Sequence, residues 1–485
     1  MTKDIRALEP TELWNNFADL NAVPRGSKKE EKVIQFMVDF GKKLNLDTIV
    51  DPVGNVIIKK PASKGMENRK TVVLQSHLDM VHQKNSNTSF NFDTDGIKMI
   101  VDGDWVRADG TTLGADNGMG VAAIMSVLAS KTIKHSAIEA LFTIDEETGM
   151  TGAMGLQANY LNGEILLNLD TEDDDEIDIG CAGGIDVTAE NTYNEVGAPV
   201  NSGGFSISVT GLKGGHSGMD IHKGLGNANK IMNRLLYETK DFIRISEING
   251  GSLRNAIPRE SFATISVANV RKDAFIKKVN KIVKEIKAEQ SAVDPNLEIK
   301  ISEVAKPERV MTTISQNTLL NAIYAAHNGV YRMSNDMEDL VETSNNVARV
   351  IVKDESVKIL CLTRSSVESS KFDLANALRA TFEMAGYTVT LSGSYPGWKP
   401  NVTSPILKTL TETYEKLFNK KANVVACHAG LECGILGTNY PDMDMISFGP
   451  TIQGAHSPDE KANIKSSQKF WQFLLTILEN IPLKK

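Results

Sequence analysis

The first third of the chain alternates helical and extended patterns of apolar residues. Residues 30–44 place apolar side chains on one face of a helix, whereas residues 72–74 form a short continuous apolar run. Helices are predicted at residues 30–44, 118–128, 406–418 and 466–478. Buried strands are predicted at residues 55–58, 72–74, 140–144, 165–169 and 445–448. Short buried strands that alternate with helices predict an α/β sheet covered on both faces.

The middle of the chain carries an internal repeat. The sequence Glu-Ser-Phe-Ala-Thr-Ile at residues 260–265 resembles Glu-Ser-Val-Lys-Ile-Leu at residues 355–360. A predicted helix and an asparagine-containing segment precede each copy, and a second helix and an alternating strand follow it. The first copy has helices at 227–237 and 274–288, a segment beginning at Asn255 and a strand at 297–301; the second has helices at 317–326 and 372–385, a segment beginning at Asn346 and a strand at 388–391. Chance similarity is the alternative, but the shared order of elements favours a duplication.

These patterns divide the chain into a main domain and an insert. Residues 1–185 and 399–485 are expected to form the α/β domain with its covered mixed sheet. Residues 186–398 are expected to form an inserted α+β domain of two βαββαβ-like repeats. The length of 485 residues agrees with this division, because it exceeds what one hydrophobic core normally organises.

Composition narrows the range of partners and compartments. A net charge of −8 disfavours nucleic acids and anionic membranes as partners. No apolar run approaches the roughly 18 residues that a membrane helix needs, and the first residues lack the apolar core of a secretory signal. The four cysteines form neither a CxxC pair nor a disulfide framework. We therefore expect a cytoplasmic protein.

Polar clusters follow the predicted strands at the point where each strand ends. In open α/β sheets, ligands bind at this carboxyl edge. The ligand-type residues are His77, Asp79, Asp116, Asp145, Glu146, Glu147, Asp170 and His456. A single aspartate after a strand is more often a helix cap, and a single His-x-Asp is usually structural. Several such clusters at one sheet edge instead predict a functional site.

The chemistry of these residues favours a pair of divalent ions. His77 and Asp79 share one face of an extended segment, so Asp79 can accept a hydrogen bond from the imidazole and fix its tautomer. Asp116 precedes a helix in a glycine-containing turn, where its carboxylate can bridge two cations. The adjacent carboxylates Glu146 and Glu147 are costly together unless a cation or a proton separates them. Two histidines and three carboxylates suit zinc, cobalt or manganese.

These segments resemble the motifs of the dinuclear-zinc peptidase family that includes aminoacylase, carboxypeptidase G2, peptidase T and dipeptidases. The matching segments are residues 76–79, 114–118, 145–149, Asp170 and residues 454–457. Further segments resemble the aminoacyl-histidine dipeptidase branch in particular. They are residues 23–31, 181–184, 250–260, 396–400 and 428–434. The resemblance extends from about residue 20 to the end of the sequence.

The resemblance implies which residues would hold the metal ions. By matching position, His77 and Asp170 are expected to bind one ion. Glu147 and His456 are expected to bind the second, and Asp116 to bridge the two. Two divalent ions per chain follow, with zinc favoured and cobalt or manganese as alternatives.

The resemblance also implies the reaction. Asp79 resembles the residue that orients His77, and Glu146 resembles the general base. Glu146 would take a proton from an activated water and pass it to the leaving amine. The expected activity is hydrolysis of dipeptides, Xaa-His and a broader range, with β-alanyl-histidine among the candidate substrates.

The insert resembles the family's lid domain, and this likeness implies substrate contacts. His216 matches a histidine that stabilises the tetrahedral oxyanion, although Gly-Gly-His-Ser-Gly alone could be an ordinary loop. Asn255 is expected to hydrogen-bond to the substrate. Arg364 is expected to bind the peptide carboxylate, with a surface charge as the alternative; the first repeat has Asn269 at the matching place. Glu432 is a candidate for binding the substrate ammonium, with a buried structural carboxylate as the alternative.

Two other functions compete with a dipeptidase. The first is an amidohydrolase that acts on N-acyl amino acids, and the second is a metal- or peptide-binding protein without catalysis. The matches around Pro24, Trp398 and Glu432 favour the dipeptidase, and the presence of Glu146 and all ligands argues against a silent protein. The sequence leaves open whether the chain is a monomer or a homodimer, and whether His216 acts in its own chain or in a partner chain.

Overall fold

The computed structural model describes residues 4–484, and their contacts form two compact units. The first unit contains the chain up to Gly180, Pro400–Ala426 and the chain from Leu431 onward. The inserted unit contains Cys181–Lys399 and Cys427–Gly430. Among the described residues, no helix combines the length and the apolar composition needed to cross a bilayer.

The first part of the chain alternates helices and strands. Its helices are α1 (Thr11–Asn21), α2 (Glu31–Lys43), α3 (Ala115–Ala129) and α4 (Thr151–Gly155), with a 3-10 turn at Ile5–Ala7. Its strands are β1 (Asp47–Val50), β2 (Val56–Lys60), β3 (Val72–His77), β4 (Met99–Asp102), β5 (Trp105–Ala108), β6 (Ile138–Thr143), β7 (Ile165–Asn168) and β8 (Glu176–Cys181). The predicted helix at residues 30–44 is α2, which buries Val33, Met37 and Gly41 at helical spacing.

The inserted unit is richer in strands. Its helices are α5 (Ala228–Glu238), α6 (Lys272–Gln290), α7 (Thr313–Ala325) and α8 (Glu368–Met384), with 3-10 turns at Ile221–Lys223 and Asn269–Arg271. Its strands are β9 (Gly183–Thr192), β10 (Glu195–Gly197), β11 (Ser202–Thr210), β12 (Gly215–His216), β13 (Ile243–Gly250), β14 (Ala256–Ile257), β15 (Ser261–Ala268), β16 (Glu298–Val304), β17 (Arg309–Met311), β18 (Gly329–Met333), β19 (Val341–Lys353), β20 (Ser356–Ser365) and β21 (Thr388–Tyr395).

The last part of the chain returns to the first unit. Its helices are α9 (Pro405–Phe418), α10 (Glu432–Asn439) and α11 (Ile464–Glu479). Its strands are β22 (Asn423–Cys427), β23 (Asp444–Ser447), β24 (Ile452–Gln453) and β25 (Lys461–Asn463). Ser404 caps α9 by accepting a hydrogen bond from the Leu407 amide, and Pro405 occupies the first helical position.

The main sheet of the first unit is built around parallel strands. Its order is β1-β2-β6-β3-β7-β23-β8-β22. Strands β6, β3, β7 and β23 run parallel, whereas β1 and β2 are antiparallel to their neighbours. Every residue of β3, β6 and β7 is buried, as expected for strands covered on both faces. This mixed, covered sheet confirms the predicted α/β class, and it brings the carboxyl ends of four strands to one edge.

The sheet of the inserted unit contains two related halves. Its order is β16-β11-β15-β13-β19-β20-β9-β21, and β18 adds to β19. The first half is β11-α5-β13-β15-α6-β16 and the second is β9-α7-β19-β20-α8-β21, so their strand orders mirror each other about the pair β13 and β19. The predicted pair of βαββαβ units is confirmed.

The two halves are nested in sequence rather than consecutive. Strand β9 belongs to the second half but precedes the whole first half in the chain. The asparagine segments that accompany the sequence repeat are not equivalent either. Asn346 lies within β19, whereas Asn255 precedes β14, a two-residue strand paired with β12. The sequence similarity therefore identified the helices and the central strands but not the first strand of the second half.

Candidate functional site

The ligand-type residues of the first unit lie where its parallel strands end. His77 is the last residue of β3, Glu146 and Glu147 lie in the turn after β6, and Asp170 follows β7 by two residues. His456 lies in the loop between β24 and β25 and adopts a positive φ of 63°. His77, Glu146, Glu147 and Asp170 thus follow strands that end at one edge of the main sheet, whereas His456 comes from a loop of the antiparallel sheet β24-β25-β5-β4 and Asp116 from the start of α3.

Two groups of three donors share one aspartate. His77, Asp116 and Asp170 form one group, and Asp116, Glu147 and His456 form the other. The His77 Nε2 atom lies 3.2 Å from Asp116 Oδ1 and 3.5 Å from Asp170 Oδ1. The His456 Nε2 atom lies 3.2 Å from Asp116 Oδ2 and 2.9 Å from Glu147 Oε2. Each oxygen of Asp116 thus belongs to a different group.

The donor spacing fits metal coordination. Two ligand atoms bound about 2.1 Å from one tetrahedral ion lie roughly 3.4 Å apart, and the four separations above span 2.9–3.5 Å. Among the candidate ligands, two buried carboxylate oxygens accept no hydrogen bond within the described part of the chain: Glu147 Oε1, and Asp170 Oδ1, which His77 Nε2 approaches only to 3.5 Å. A buried acceptor without a partner is costly, and a divalent cation would satisfy both. The residues present therefore fit a pair of ions.

The charges of the site point the same way. Burial alone would lower the pKa of His77, but Asp170 and Asp116 hold that pKa well above its usual value. Hydrogen bonds to Asp116 and Glu147 raise the pKa of His456 to about 11. Burial raises the pKa of Glu147 and of Asp170. Without a metal ion, the two histidines therefore keep protons whose positive charge offsets that of the neighbouring carboxylates. A bound divalent cation would supply this positive charge and displace the protons.

Asp79 connects the two strand ends. Its carboxylate accepts hydrogen bonds from the amides of Glu146 and Glu147 at 3.0 and 3.2 Å and from Ser27 Oγ at 2.8 Å. The His77 Nδ1 atom lies 3.1 Å from the main-chain oxygen of Asp79 and 3.4 Å from its carboxylate. Asp79 therefore contacts the His77 ring and also fixes the turn that carries the two glutamates.

Glu146 and Glu432 are both buried acids near this edge. Burial raises the pKa of Glu146 well above its usual value, and the charges of Asp170 and Glu432 add to the effect. Glu432 Oε2 accepts hydrogen bonds from Gln75 Nε2 and Thr143 Oγ1, each at 2.6 Å. Its other oxygen has no donor among the described residues, and burial raises the pKa of Glu432 to about 7. Glu432 thus lies in the first unit beside the ligand groups.

The inserted unit holds a second polar cluster around Arg364. Arg364 is 4% exposed as a residue and lies near the end of β20. Its Nε donates to Ser217 Oγ at 3.3 Å, its Nη1 donates to Tyr395 Oη at 2.9 Å, and its Nη2 lies 3.3 Å from His216 Nε2. These partners are uncharged, and no carboxylate pairs with Arg364 among the described residues. The surface-charge alternative for Arg364 does not agree with this burial.

The hydrogen bonds of His216 assign its tautomer. Its Nδ1 accepts hydrogen bonds from the amides of Gly218 and Met219 at 3.3 and 3.1 Å. Burial and the neighbouring Arg364 charge lower the pKa of His216 to about 4. The ring is therefore neutral at ordinary pH, and its hydrogen is on Nε2.

The sequence motifs include some of the other residues in this cluster but not all of them. Asn255 is exposed, and its main-chain oxygen accepts a hydrogen bond from the Ser217 amide at 2.8 Å. His428 is 6% exposed, its Nε2 lies 2.8 Å from Ser344 Oγ, and its Nδ1 has no partner among the described residues. Ser217 lies in the Gly-Gly-His-Ser-Gly segment and His428 in the family-like segment 428–434, so these two motifs could have indicated both residues. Tyr395 follows no motif, and only the fold reveals its contact with Arg364.

A comparison with protein families decides the class of the chain. Residues 73–480 match the model of peptidase family M20/M25/M40. The chain belongs to this family. It is a peptide hydrolase, and the resemblance predicted from the sequence motifs is confirmed.

Two relatives combine coverage of essentially the whole chain with more than 40% identity. A protein named cytosol non-specific dipeptidase from Escherichia coli (strain K12) is 44% identical over 483 residues, which cover 99% of this chain and all of that protein. The crystal structure of aminoacylhistidine dipeptidase from Vibrio alginolyticus superposes with a TM-score of 0.93 at 45% identity, covering 100% of this chain and 99% of that one. The aminopeptidase PepT of Bacillus cereus ATCC 10987 shares the fold, with a TM-score of 0.58, 16% identity and coverage of 98% of this chain and 99% of that one.

Proposed function

We propose that this peptide hydrolase is a metal-dependent dipeptidase that uses two divalent ions. The observation that carries the proposal is Asp116, whose two oxygens belong to two separate groups of three donors. The two full-length relatives, both named dipeptidases, support the substrate class. Zinc is the preferred ion, because two histidines and three carboxylates suit it, with cobalt or manganese as alternatives.

When bound, the ions would supply Lewis-acid polarisation of the scissile carbonyl and a water whose pKa is lowered toward roughly 7. His77 and Asp170 would hold one ion, Glu147 and His456 the other, and Asp116 would bridge them. The orphaned oxygens of Glu147 and Asp170 support this assignment.

Glu146 acts as the general base in this proposal. Its carboxylate takes the water proton and delivers it to the leaving amine, a role that requires a pKa near the working pH. The burial that raises the pKa of Glu146 supports this role. Asp79 keeps the Glu146 amide and the His77 ring in place through the contacts described above.

The inserted unit supplies the remaining groups. His216 donates its Nε2–H to the oxyanion of the tetrahedral intermediate, and Arg364 binds the C-terminal carboxylate of the peptide. Asn255, which is exposed beside the His216 segment, hydrogen-bonds to the substrate backbone. These roles are proposed for either arrangement, with His216 acting in its own chain or in a partner chain of a homodimer.

Glu432 is proposed to bind the substrate ammonium. Its Oε1 is a buried acceptor without a donor in the described residues, and an ammonium group would remove the free-energy cost of that unpaired oxygen.

We also propose that the protein works in the cytoplasm on short peptides and binds neither nucleic acids nor membranes. The net charge of −8 and the cytosolic name of the relative support this placement.

A substrate panel tests the proposed function. The zinc-loaded protein is assayed on Xaa-His dipeptides, other dipeptides, β-alanyl-histidine, tripeptides and N-acetyl amino acids. We expect the highest kcat/KM on dipeptides and loss of the activity on chelation. Faster hydrolysis of N-acetyl amino acids would instead assign the chain to the amidohydrolases.

A further inference from the structure

Glu460 contacts four consecutive amides beside the candidate metal centre. Its Oε2 accepts hydrogen bonds from the amides of Leu113 and Gly114 at 2.7 and 2.9 Å, and its Oε1 accepts from those of Ala115 and Asp116 at 2.7 and 3.2 Å. Glu460 is buried, with 2% of the residue exposed. The Leu113 and Gly114 amides lie just before α3, and those of Ala115 and Asp116 belong to its first two residues, whose backbone donors have no partner within the helix. One carboxylate therefore fixes the whole turn.

Arg25 donates a hydrogen bond to a main-chain carbonyl oxygen of the same turn. Its Nη2 donates to the Gly114 oxygen at 2.5 Å, and its Nη1 donates to the oxygens of Leu78 and Asp79 at 3.0 and 3.2 Å. The Arg25 main-chain oxygen accepts a hydrogen bond from the Met80 amide at 3.0 Å. Arg25 therefore ties the residues that follow His77 to the turn that ends at Asp116.

Two glycines, Gly114 and Gly118, pack closely against the guanidinium of Arg25. A Cβ added at Gly114 would lie 2.4 Å from Arg25 Nη2, and one added at Gly118 would lie 2.7 Å from the same atom. Gly114 also has a φ of +71°, which side-chain-bearing residues rarely adopt. The backbone at both glycines therefore packs directly against the guanidinium.

We propose that Glu460 and Arg25 are positioning residues that hold Asp116 between His77 and His456. Glu460 lies four residues after His456, so its contacts join the His456 loop to the Asp116 turn. Arg25 joins the same turn to the strand end that carries His77. Because Asp116 belongs to both donor groups, the two contacts together set the spacing of the dinuclear centre. This inference depends on the proposed dinuclear site.

Metal affinity of substituted proteins tests the inference. Glu460→Gln replaces one acceptor oxygen by an NH2 group, which cannot accept a hydrogen bond from a backbone N–H. Glu460→Asp keeps the charge but shortens the reach. Demetallated proteins are titrated with zinc by calorimetry. We expect each substitution to weaken zinc binding by about 10- to 100-fold, the range typical of groups that orient metal ligands. We also expect kcat at limiting zinc to fall with little change in KM.

Glu139→Gln is the matched control. Glu139 is 5% exposed and accepts hydrogen bonds from the amides of Asn162 and Gly163 at 2.7 and 2.9 Å, but it has no contact with the candidate ligands. This substitution should lower the melting temperature while leaving zinc affinity within about twofold of the wild type. Should Glu460→Gln not fold, Arg25→Lys provides the same test, because it keeps the charge and loses the fork between Gly114 and Leu78.

The outcomes separate this inference from the proposed function. If the wild type binds two zinc ions and folded Glu460→Gln or Arg25→Lys binds them equally well, the positioning role is wrong. Recovery of wild-type affinity in Glu460→Asp would assign the effect to charge alone and also overturn the inference. A wild type that never binds a second ion would instead remove the dinuclear site itself, and the positioning role with it.

Discussion

The Nε2 atom of His216 and the Nη2 atom of Arg364 lie 3.3 Å apart, and the hydrogen bonds of His216, together with the chemistry of a guanidinium, assign a hydrogen to both atoms. The His216 hydrogen is on Nε2 because its Nδ1 accepts two backbone amides, and a guanidinium has only donors. The two groups therefore do not satisfy each other. They converge on a position that suits an oxygen acceptor with negative charge, as a peptide carboxylate or a tetrahedral oxyanion would supply.

Removal of the Arg364 guanidinium should lower activity more on dipeptides with a free C-terminal carboxylate than on amidated ones. We expect Arg364→Ala to lower kcat/KM for free dipeptides by roughly 10- to 100-fold, because hydrogen bonds to charged groups contribute about 1.5–3 kcal/mol. The effect on C-terminally amidated dipeptides should be much smaller. Arg332→Ala is the control, since Arg332 is an exposed arginine on β18 and should leave both substrates unaffected. Equal losses on the free and amidated substrates would remove Arg364 from carboxylate recognition.

Removing the imidazole should affect every substrate. We expect His216→Ala to reduce kcat by about 10²–10³-fold with little change in KM, because an oxyanion donor acts in the transition state. The free and amidated dipeptides should lose activity equally. His222→Ala is the matched control, because His222 is exposed in the neighbouring 3-10 turn Ile221–Lys223. A change confined to KM would contradict the oxyanion role.

The two adjacent glutamates should respond differently to the same substitution. Glu146→Gln should retain both ions and lose about 10²–10⁴-fold in kcat, the usual contribution of general acid–base catalysis. Glu147→Gln should weaken metal binding, because Glu147 Oε2 lies 2.9 Å from His456 Nε2 within one donor group. Metal analysis after gel filtration, together with kcat at saturating zinc, distinguishes the two. The reverse pattern would exchange their roles.

The contribution of His428 to the free energy of unfolding should depend on pH. Burial and the charge of Arg364 lower the pKa of His428 to about 3, against an ordinary value of 6.5. A histidine with a lowered pKa contributes stability above pH 6.5, and this contribution is lost as the pH falls from 6.5 toward 3. The wild type should therefore be more stable than His428→Asn at pH 7.5, and the difference should narrow by pH 4.5. A constant difference in unfolding free energy across this range would show that His428 does not titrate as described.

The sequence predicted the elements of the first unit well because they are local patterns. The predicted strand at residues 72–74 became Val72–His77, and the predicted helix at residues 406–418 became Pro405–Phe418. Four candidate ligand-type residues could also be predicted from one rule, because His77, Glu146, Glu147 and Asp170 follow parallel strands that end at one edge. Asp116 and His456 adjoin the antiparallel sheet β24-β25-β5-β4, so their sequence motifs indicated them but that rule did not. Their roles remain proposals.

Other features depend on contacts between distant parts of the chain. Glu460 accepts from residues about 345 positions earlier, and no local pattern marks it. Strand β9 pairs with β20, so the nested order of the two halves follows from long-range pairing rather than from the repeat. Tyr395 reaches Arg364 from β21 in the same way. Such contacts are set by the tertiary fold, which apolar periodicity does not encode.

A zinc titration coupled to hydrolysis tests the central claim most directly. The protein is demetallated with a chelator, and the rate of dipeptide hydrolysis is measured as zinc is added in known ratio to the chain. We predict negligible hydrolysis without metal, and a rate that reaches its plateau at two equivalents of zinc per chain. Full activity in the demetallated protein, or a plateau at a single equivalent, would contradict a dinuclear metal-dependent dipeptidase.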